Sequence, residues 1–582
     1  MEDLGVGTRG LKGFAWLGRA LLLALTLLNG PGCLYGDGLN EPSAGDDLTD
    51  DDAGDDTGGN NAPVLDPVDD AKVTAGQEVQ IQLHATDPDG DALTYSADGL
   101  PEGATFDTAT GLFTWTPAYL QVGTFPVDFG VTDGQLSDHK TANVVVAADT
   151  DFKAIRIVPD RLSLLVGEPF LLRADGVRQD DTVVPNVWVQ WSEPGGLCAI
   201  DQTFHLTCDA RGQTTLDASL GTKEPLTASI PLYVGLDLMV VGTIVPGISL
   251  VDSVGDAILL DAGMPLGPYP NALAVRGREA FVLGSGDATL RVFDSKAMAL
   301  LHTFDLSAAV TDPWDLAFVS DTKAYVSGLV TDNVIVVDPT TGEVEKNIAL
   351  PPVDGIGATP AGLALANGKL FVACNHVRDD FSEYGTGLIY VIDTATDGLI
   401  DVDGNGDNGV TPIVTAQKNV AALALGASGD LYAVCTGDWS FTPGSYSQVD
   451  VIDAGTYAVK GTIELGDYTK AYTAAAAPNG KIYLGDATSA NVYSVDGAAG
   501  TLLRGAADPI VVPHGGGYAS PSKLVFRDGV AWGLEFDSDT LFAFELSEDT
   551  DSGEVPFVKS LDLTPGDPWV GAQFLDFVQE AE

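Results

Sequence analysis

From residue 61 onward, apolar and polar residues alternate in short runs broken by Gly, Asp, Asn and Pro. A period of two marks half-buried strands, and the breakers mark tight turns. Val79, Ile81, Leu83 and Ala85 fall on one face of such a run, and Gln80, Gln82 and His84 on the other. From residue 270 the runs themselves repeat. Pro270-Asn271-Ala272-Leu273, Ala280-Phe281-Val282 and Val292-Phe293-Asp294 return as Pro313-Trp314-Asp315-Leu316, Ala324-Tyr325-Val326 and Val336-Val337-Asp338. Further copies begin at Pro360, Asn419 and Tyr472, and a degenerate one at Pro521. A period of roughly 40 to 60 residues signals repeated supersecondary units. One small antiparallel unit cannot bury both of its faces, but units stacked radially bury each other as the blades of a β-propeller.

Both ends of the repeat region are incomplete. The run Pro568-Trp569-Val570-Gly571-Ala572-Gln573-Phe574 reads as a first strand without successors. Residues 238–242, 248–252 and 257–261 read as later strands without a first. Joining them closes a ring of about seven blades and leaves no open edge. Across residues 236–582 the pattern resembles the YVTN-type propellers of bacterial and archaeal surface proteins. The motif is degenerate here, as Ala324-Tyr325-Val326-Ser327 and Leu370-Phe371-Val372-Ala373.

Two smaller all-β segments precede the repeats. Residues 61–148 read as an antiparallel sandwich, with strands at 112–116, 123–132 and 141–146. Ala85-Thr86-Asp87-Pro88-Asp89-Gly90-Asp91, Phe113-Thr114-Trp115-Thr116-Pro117 and Val131-Thr132-Asp133-Gly134 resemble the cadherin-like, immunoglobulin-like domains of bacterial surface proteins. Residues 149–235, through Ile155-Arg156-Ile157-Val158-Pro159 and Trp188-Val189-Gln190-Trp191-Ser192, resemble the group 2 bacterial Ig-like domains of adhesins. The expected fold is all-β: two Ig-like sandwiches, then a seven-bladed propeller closed by the C-terminal strand.

Charge and the N-terminal residues set the context. Acidic residues number 83 against 28 basic, a net charge of −55. That excludes nucleic acid as a natural partner, since phosphate binding needs basic patches. Residues 1–32 combine Arg9, Lys12 and Arg19 with an apolar run at 20–28, too short for a stable membrane span. Gly30-Pro31-Gly32-Cys33 resembles a bacterial lipoprotein signal, with Gly30 where that family usually has Leu. The resemblance implies acylation of Cys33, anchoring at the cell envelope or outer membrane, and exposure at the bacterial cell surface. Residues 33–60 are acidic, lack Lys and Arg, and should form a disordered tether.

Candidate chemistry is sparse. Asp87, Asp89 and Asp91 stand two apart around a Gly turn, a spacing that suits Ca²⁺ or a plain Asp-Gly turn. Asp401, Asp403, Asn405 and Asp407 resemble the first half of a calcium loop, with Pro412 where an EF-hand has its closing Glu. The recurrent Asp294, Asp338, Asp393, Asp453 and Asp496 each end a strand and should cap their own turns. Cys198 and Cys208 bracket a hairpin and should form a disulfide in an exported protein. Cys374 and Cys435 occupy matching positions in neighbouring blades and should be free thiols. No CxxC pair is present, against thiol redox chemistry.

Two repeats carry insertions after their second strands, one with His376 and Tyr384, the other with Trp439, Phe441 and Tyr446. Together with Trp314 and Trp569 these should form an aromatic binding surface on one face of the propeller. No nucleophile elbow, HExxH, Walker loop or dinucleotide fingerprint occurs. The reading is a calcium-stabilised surface lipoprotein, attached to the membrane by its lipid, that binds an unidentified surface protein or glycan without catalysis. The alternative is an exported propeller enzyme of lactonase, lyase or quinoprotein type, with its site on the axis.

Overall fold

The computed structural model describes residues 59–118, 121–149, 151–220, 225–259, 262, 264–378, 383–405, 409–440, 442–515, 519–564 and 571–579. The signal segment, Cys33, residues 34–58, Asp407, Phe441 and Trp569 lie outside these residues. Among the described residues the regular structure is strand and turn throughout. Ala62–Glu582 form one contact unit; of the unit before it only residues 59–61 are described.

The first sandwich pairs Ala71–Thr74, Ser137–Ala147, Gly123–Thr132 and Thr94–Asp98 in one sheet, the first two strands running parallel. Val79–Gln82, Leu112–Trp115 and Thr105–Asp107 form another. Phe113, Trp115, Val127, Phe129 and Val144 fill its core, with the Phe113 and Phe129 rings edge to face at 5.8 Å. Leu83 is buried there and Val79, Ile81 and Ala85 pack against it, whereas Gln80, Gln82 and His84 are exposed. The alternation read from the sequence is thus the core-facing alternation of the strand.

The second sandwich has its own core around Ile155, Leu162, Leu206, Leu216 and Leu232. Cys198 and Cys208 face each other across paired strands, Cys198–Ile200 and His205–Cys208, and are disulfide-bonded. Glu168 receives Lys296 Nζ of the propeller at 2.5 Å. Arg211 pairs with Asp252 and, at 3.5 Å, with Asp237, and Ser163 donates its amide to the Lys296 carbonyl at 2.7 Å.

Seven sheets follow, each with a four-stranded antiparallel path; two carry one further strand. In the first, Ala572–Phe577 from the C-terminus pairs with Leu238–Gly242, then Gly247–Val251 and Ile258–Leu259. The innermost strands of blades two to seven are Pro270–Arg276, Pro313–Ser320, Pro360–Ala366, Val420–Leu425, Ala475–Ala476 and Pro521–Arg527. Each innermost strand touches its counterparts on both sides, all the way round. The ring is therefore closed, and chain ends from opposite sides of the sequence share one blade.

Seven of the buried apolar clusters each lie between two neighbouring blades. This is why the aromatic of the second strand recurs. Tyr325 reaches over to the Asp397 carboxylate, Tyr432 donates to the Asp496 carbonyl at 3.2 Å, and Tyr483 donates to Asp549 Oδ2 at 2.9 Å. Each ring fills the gap to the next blade and satisfies its hydroxyl there, as buried tyrosines require.

Candidate functional site

One end of the propeller axis is organised by a hydrogen bond that occurs in every blade. In six blades the residue before the innermost strand accepts, at its carbonyl, the amide of the residue that follows the second strand, and in blade six the pair flanks the Ala471–Asp486 bridge in the same way. The pairs are Ser285 to Tyr269, Leu329 to Asp312, Asn375 to Thr359, Thr436 to Asn419, Ala487 to Lys470, Phe536 to Ser520 and Thr243 to Gly571, all at 2.8–3.1 Å. Five acceptors take left-handed backbone: Tyr269 at φ 53°, Asp312 at 55°, Thr359 at 50°, Asn419 at 61° and Gly571 at 66°. Four of them are not glycine, so the surrounding structure holds strain at this rim.

Just inside the rim, each innermost strand gains one extra residue relative to its partner. Blade six does the same between its Ala471–Asp486 bridge and its Ala475–Tyr483 pair. A bulge re-aims side chains, so that two successive residues can face the same side. Trp314 with Asp315, Ala361 with Gly362, Ala421 with Ala422, Tyr472 with Thr473, Ser522 with Lys523, and Gln573 with Phe574 all line one axial cavity of about 620 Å³.

The cavity wall is lopsided. At their bulge positions blades four and five present only Ala361, Gly362, Ala421 and Ala422, and Tyr384 and Trp439 from the two insertions join the lining beside them. A Cβ on Gly362 would lie 3.1 Å from the Ala421 carbonyl oxygen, so glycine lets these two strands approach closely. Trp439 is 43 % exposed and Trp314 36 %.

The Trp439 loop is held from beneath. The buried Lys470 ammonium donates to the Ser445 carbonyl at 2.7 Å, and burial moves that ammonium below its usual pKa. Ser445 Oγ donates to the Ser440 carbonyl at 2.6 Å, and Ser440 Oγ to Asp438 Oδ1 at 2.7 Å. Gly437 has φ 85°, and a Cβ there would meet the Ser445 carbonyl oxygen at 2.0 Å, so only glycine fits.

Asp315 and Lys523 are the chemically distinctive residues of the wall. Asp315 Oδ2 accepts the Leu363 amide of the next blade at 2.8 Å and Oδ1 its neighbour's amide at 2.9 Å. Burial pushes its carboxyl above the usual range, and the positive charge of Lys523 offsets this in part. Lys523 is the sole Lys or Arg of the described wall, and among the described residues no carboxylate pairs with it. The Tyr472 hydroxyl, which Ser520 Oγ meets at 3.3 Å, is pushed up to about 12 by burial. Asn375 also lines the cavity, and its Oδ1 is buried without a hydrogen-bond partner.

Of the expected aromatic surface, the structure brings Trp314, Tyr384 and Trp439 together around this cavity. Tyr446 lies apart, its ring 5.4 Å from that of Tyr468. His376 does not belong to any surface. It is 2 % exposed, its Nδ1 is 2.6 Å from the Thr386 carbonyl and its Nε2 3.0 Å from the Val353 carbonyl. A left-handed φ of 49° at His376 and the missing side chain of Gly385 leave room for the ring inside the insertion, which it braces. Cys374 and Cys435 are free and buried in different inter-blade cores, and burial raises both thiols.

The acidic motifs are mostly engaged by local donors. Asp294, Asp338, Asp393, Asp453 and Asp496 each accept one or two amides from the turn that follows, at 2.7–3.2 Å. Asp401 accepts the Thr411 amide at 2.9 Å, and Asp403 accepts Asn405 and Thr411. Asp87 Oδ1 accepts the amides of Asp89 and Asp91 at 2.8 and 3.1 Å, while its Oδ2 is buried without a partner. Among the described residues no three His, Cys, Asp or Glu side chains gather closely enough to hold a metal ion.

The protein-family profile described as "Putative Ig domain" matches residues 62–147. No curated protein matches the chain. Among solved structures, a quinonprotein alcohol dehydrogenase-like protein from Bacteroides thetaiotaomicron is 13 % identical, with 73 % of this chain and 99 % of that one covered and a TM-score of 0.41. Hydrazine synthase from Kuenenia stuttgartiensis is 15 % identical over 48 % of this chain and 77 % of its own, at 0.38. Virginiamycin B lyase from Staphylococcus aureus is 10 % identical over 50 % and 83 %, at 0.37.

Proposed function

We propose that this chain is a bacterial cell-surface lipoprotein whose propeller binds its ligand in the axial cavity without transforming it. The observation that carries the reading is the lopsided wall. The bulge positions of two adjacent blades shrink to Ala and Gly where two insertions supply aromatic rings to the lining, Tyr384 and Trp439. A concave site with aromatic faces and several amide side chains suits a polyhydroxylated or peptide-like ligand. The sandwiches and the acidic tether would space this mouth from the membrane. Calcium enters the proposal at Asp87, whose unpartnered buried oxygen a cation would satisfy.

The test is binding of the full chain to glycan and cell-surface protein arrays. Replacing both Trp314 and Trp439 by Ala should weaken every hit at least tenfold with melting unchanged. Binding that ignores the double substitution ends the reading. Anchoring is tested separately, since an alkyne fatty-acid label should enter the wild type and not the Cys33→Ala chain.

An axial enzyme is the second reading. Asp315, a carboxyl raised by burial, lines the cavity as a general acid would. Turnover of a bound ligand, lost in Asp315→Asn while binding persists, would favour it.

A further inference from the structure

Three groups in the axial cavity lack a partner or present a bare face, and their chemistry narrows the ligand. Lys523 is the first. In a chain of net charge −55, a lysine in the axial wall with no ion pair among the described residues is the residue that composition least predicts. Asp315 and Asp576 lie near enough to feel its charge, but among the described residues no carboxylate oxygen comes within ion-pair distance of it, and both Asp315 oxygens accept main-chain amides. An unpaired ammonium at the edge of a concave, partly desolvated site favours an anionic group, and a carboxylate or sulfate there gains a charge-assisted hydrogen bond.

Asn375 is the second. Its amide oxygen is buried with no donor facing it among the described residues, a loss that a ligand hydroxyl or N–H would make good. Third, Trp314 and Trp439 present exposed faces to the same space, and such faces stack on the apolar side of a ring. An anion, a hydroxyl donor and a ring with an apolar face, all within about 620 Å³, describe one class of molecule.

We infer that the cavity takes a uronic-acid type saccharide, its carboxylate at Lys523, a hydroxyl at Asn375 Oδ1 and its ring against the tryptophans. The inference rests on the binding reading above and adds the ligand class. Ring and hydroxyls alone would be met by any neutral sugar; Lys523 distinguishes the acid. The same wall gives a neutral sugar no use for the ammonium and leaves it unpaired.

The experiment is calorimetric titration of the full chain with tetragalacturonate and tetramannuronate, each as the free acid and as the methyl ester. The ester keeps the ring and hydroxyls and removes the charge. At least one acid should bind tenfold or more tightly than its ester. Lys523→Met should erase that difference and Lys523→Arg should keep most of it, with melting unchanged in the Arg variant, which keeps the charge near Asp315 and Asp576. The inference is overturned if neither acid binds, if acid and ester bind alike, or if Lys523→Met leaves the difference intact. Neutral glycans scored against Trp314→Ala/Trp439→Ala separate the two failures. If their binding depends on the tryptophans, the binding reading stands and the acidic ligand alone falls.

Discussion

The amide of Val275 donates to Asp576 Oδ2 at 2.9 Å, across 301 residues of sequence. Asp576 lies on the C-terminal strand of blade one and Val275 on the innermost strand of blade two. Asp315 treats Leu363 in the same way between blades three and four. In both cases a carboxylate on one innermost strand satisfies an amide on the next, so ring closure and the axial wall are built by the same type of contact.

These two carboxyls give stability a pH dependence with a definite sign. Burial raises both above the ordinary 3.8, so the folded chain holds more protons than the unfolded one between the two values. Their contribution is full below about 3.8 and is lost as pH rises through the folded pKa values. Asp393 and Asp453 act oppositely. The Lys369 ammonium holds the first at about 2, and turn amides with Lys460 hold the second there. Their contribution is full above 3.8 and lost as pH falls toward 2. The melting temperature should therefore peak in mild acid. Asp315→Asn with Asp576→Asn should flatten the fall on the neutral side and leave the acid side alone; an unchanged neutral slope in a pH series of calorimetric scans counts against this account.

Closure by the last strand should be costly to weaken. Phe577 is 4 % exposed, meets Trp532 edge to face at 6.2 Å and lies under the Arg527 guanidinium at 4.7 Å. Phe577→Ala should cost about 3–5 kcal/mol, read by denaturant unfolding. A loss below about 1 kcal/mol would mean that the ring does not depend on this strand.

Filling the small-residue wall should block binding while sparing the fold. Ala422 packs against the core between blades five and six, whereas Ala421 is partly exposed and lines the cavity. Ala421→Phe should abolish binding to any array hit of the wild type and leave the melting curve within a few degrees. Retained binding would place the ligand elsewhere.

The Cys198–Cys208 disulfide closes a loop with a sequence separation of 10. Cys208→Ser with Cys198→Ser should destabilise the second sandwich by about 2–3 kcal/mol, seen as a lowered transition in calorimetry. Reductant should reproduce the shift in the wild type and do nothing further to the variant.

Calcium should raise the transition of the first sandwich by several degrees over chelator, and Asp87→Asn should remove the rise. Coincident traces with and without calcium would leave Asp87 as a turn cap for Asp89 and Asp91.

The fold was legible because its signals are local and repeated. Pro270, Pro313, Pro360 and Pro521 open strands, second-strand aromatics fill the gaps between blades, and Asp294, Asp338, Asp393, Asp453 and Asp496 close turns by capping amides three residues away or fewer. The cavity was only half legible. The insertions announced Trp439 and Tyr384, but an absence of bulk at Ala361, Gly362, Ala421 and Ala422 looks like ordinary strand sequence until the blades are set side by side. Lys523 sits in the degenerate copy, where it reads as one more solvated strand residue; comparing the third position after each rim residue would have singled it out. His376 was misread because the direction of a loop side chain depends on backbone dihedrals and on the space beside Gly385, neither of which composition reveals.

The sevenfold rim separates two tasks along each strand. Main-chain groups close the rim end of each blade, through one carbonyl and one amide apiece, and the bulge then delivers two side chains toward the mouth. Some of these also hold the ring: Asp315 binds the Leu363 amide, Ser522 Oγ donates to the Ala572 carbonyl at 3.4 Å, Ala422 and Phe574 pack between blades, and Gly362 leaves room for the next strand. Substitution at the remaining positions can retune what the mouth recognises without renegotiating how the propeller holds its shape. Related chains with the same architecture should thus diverge fastest in the residues that touch the ligand, and exchanging those pairs between them should exchange specificity.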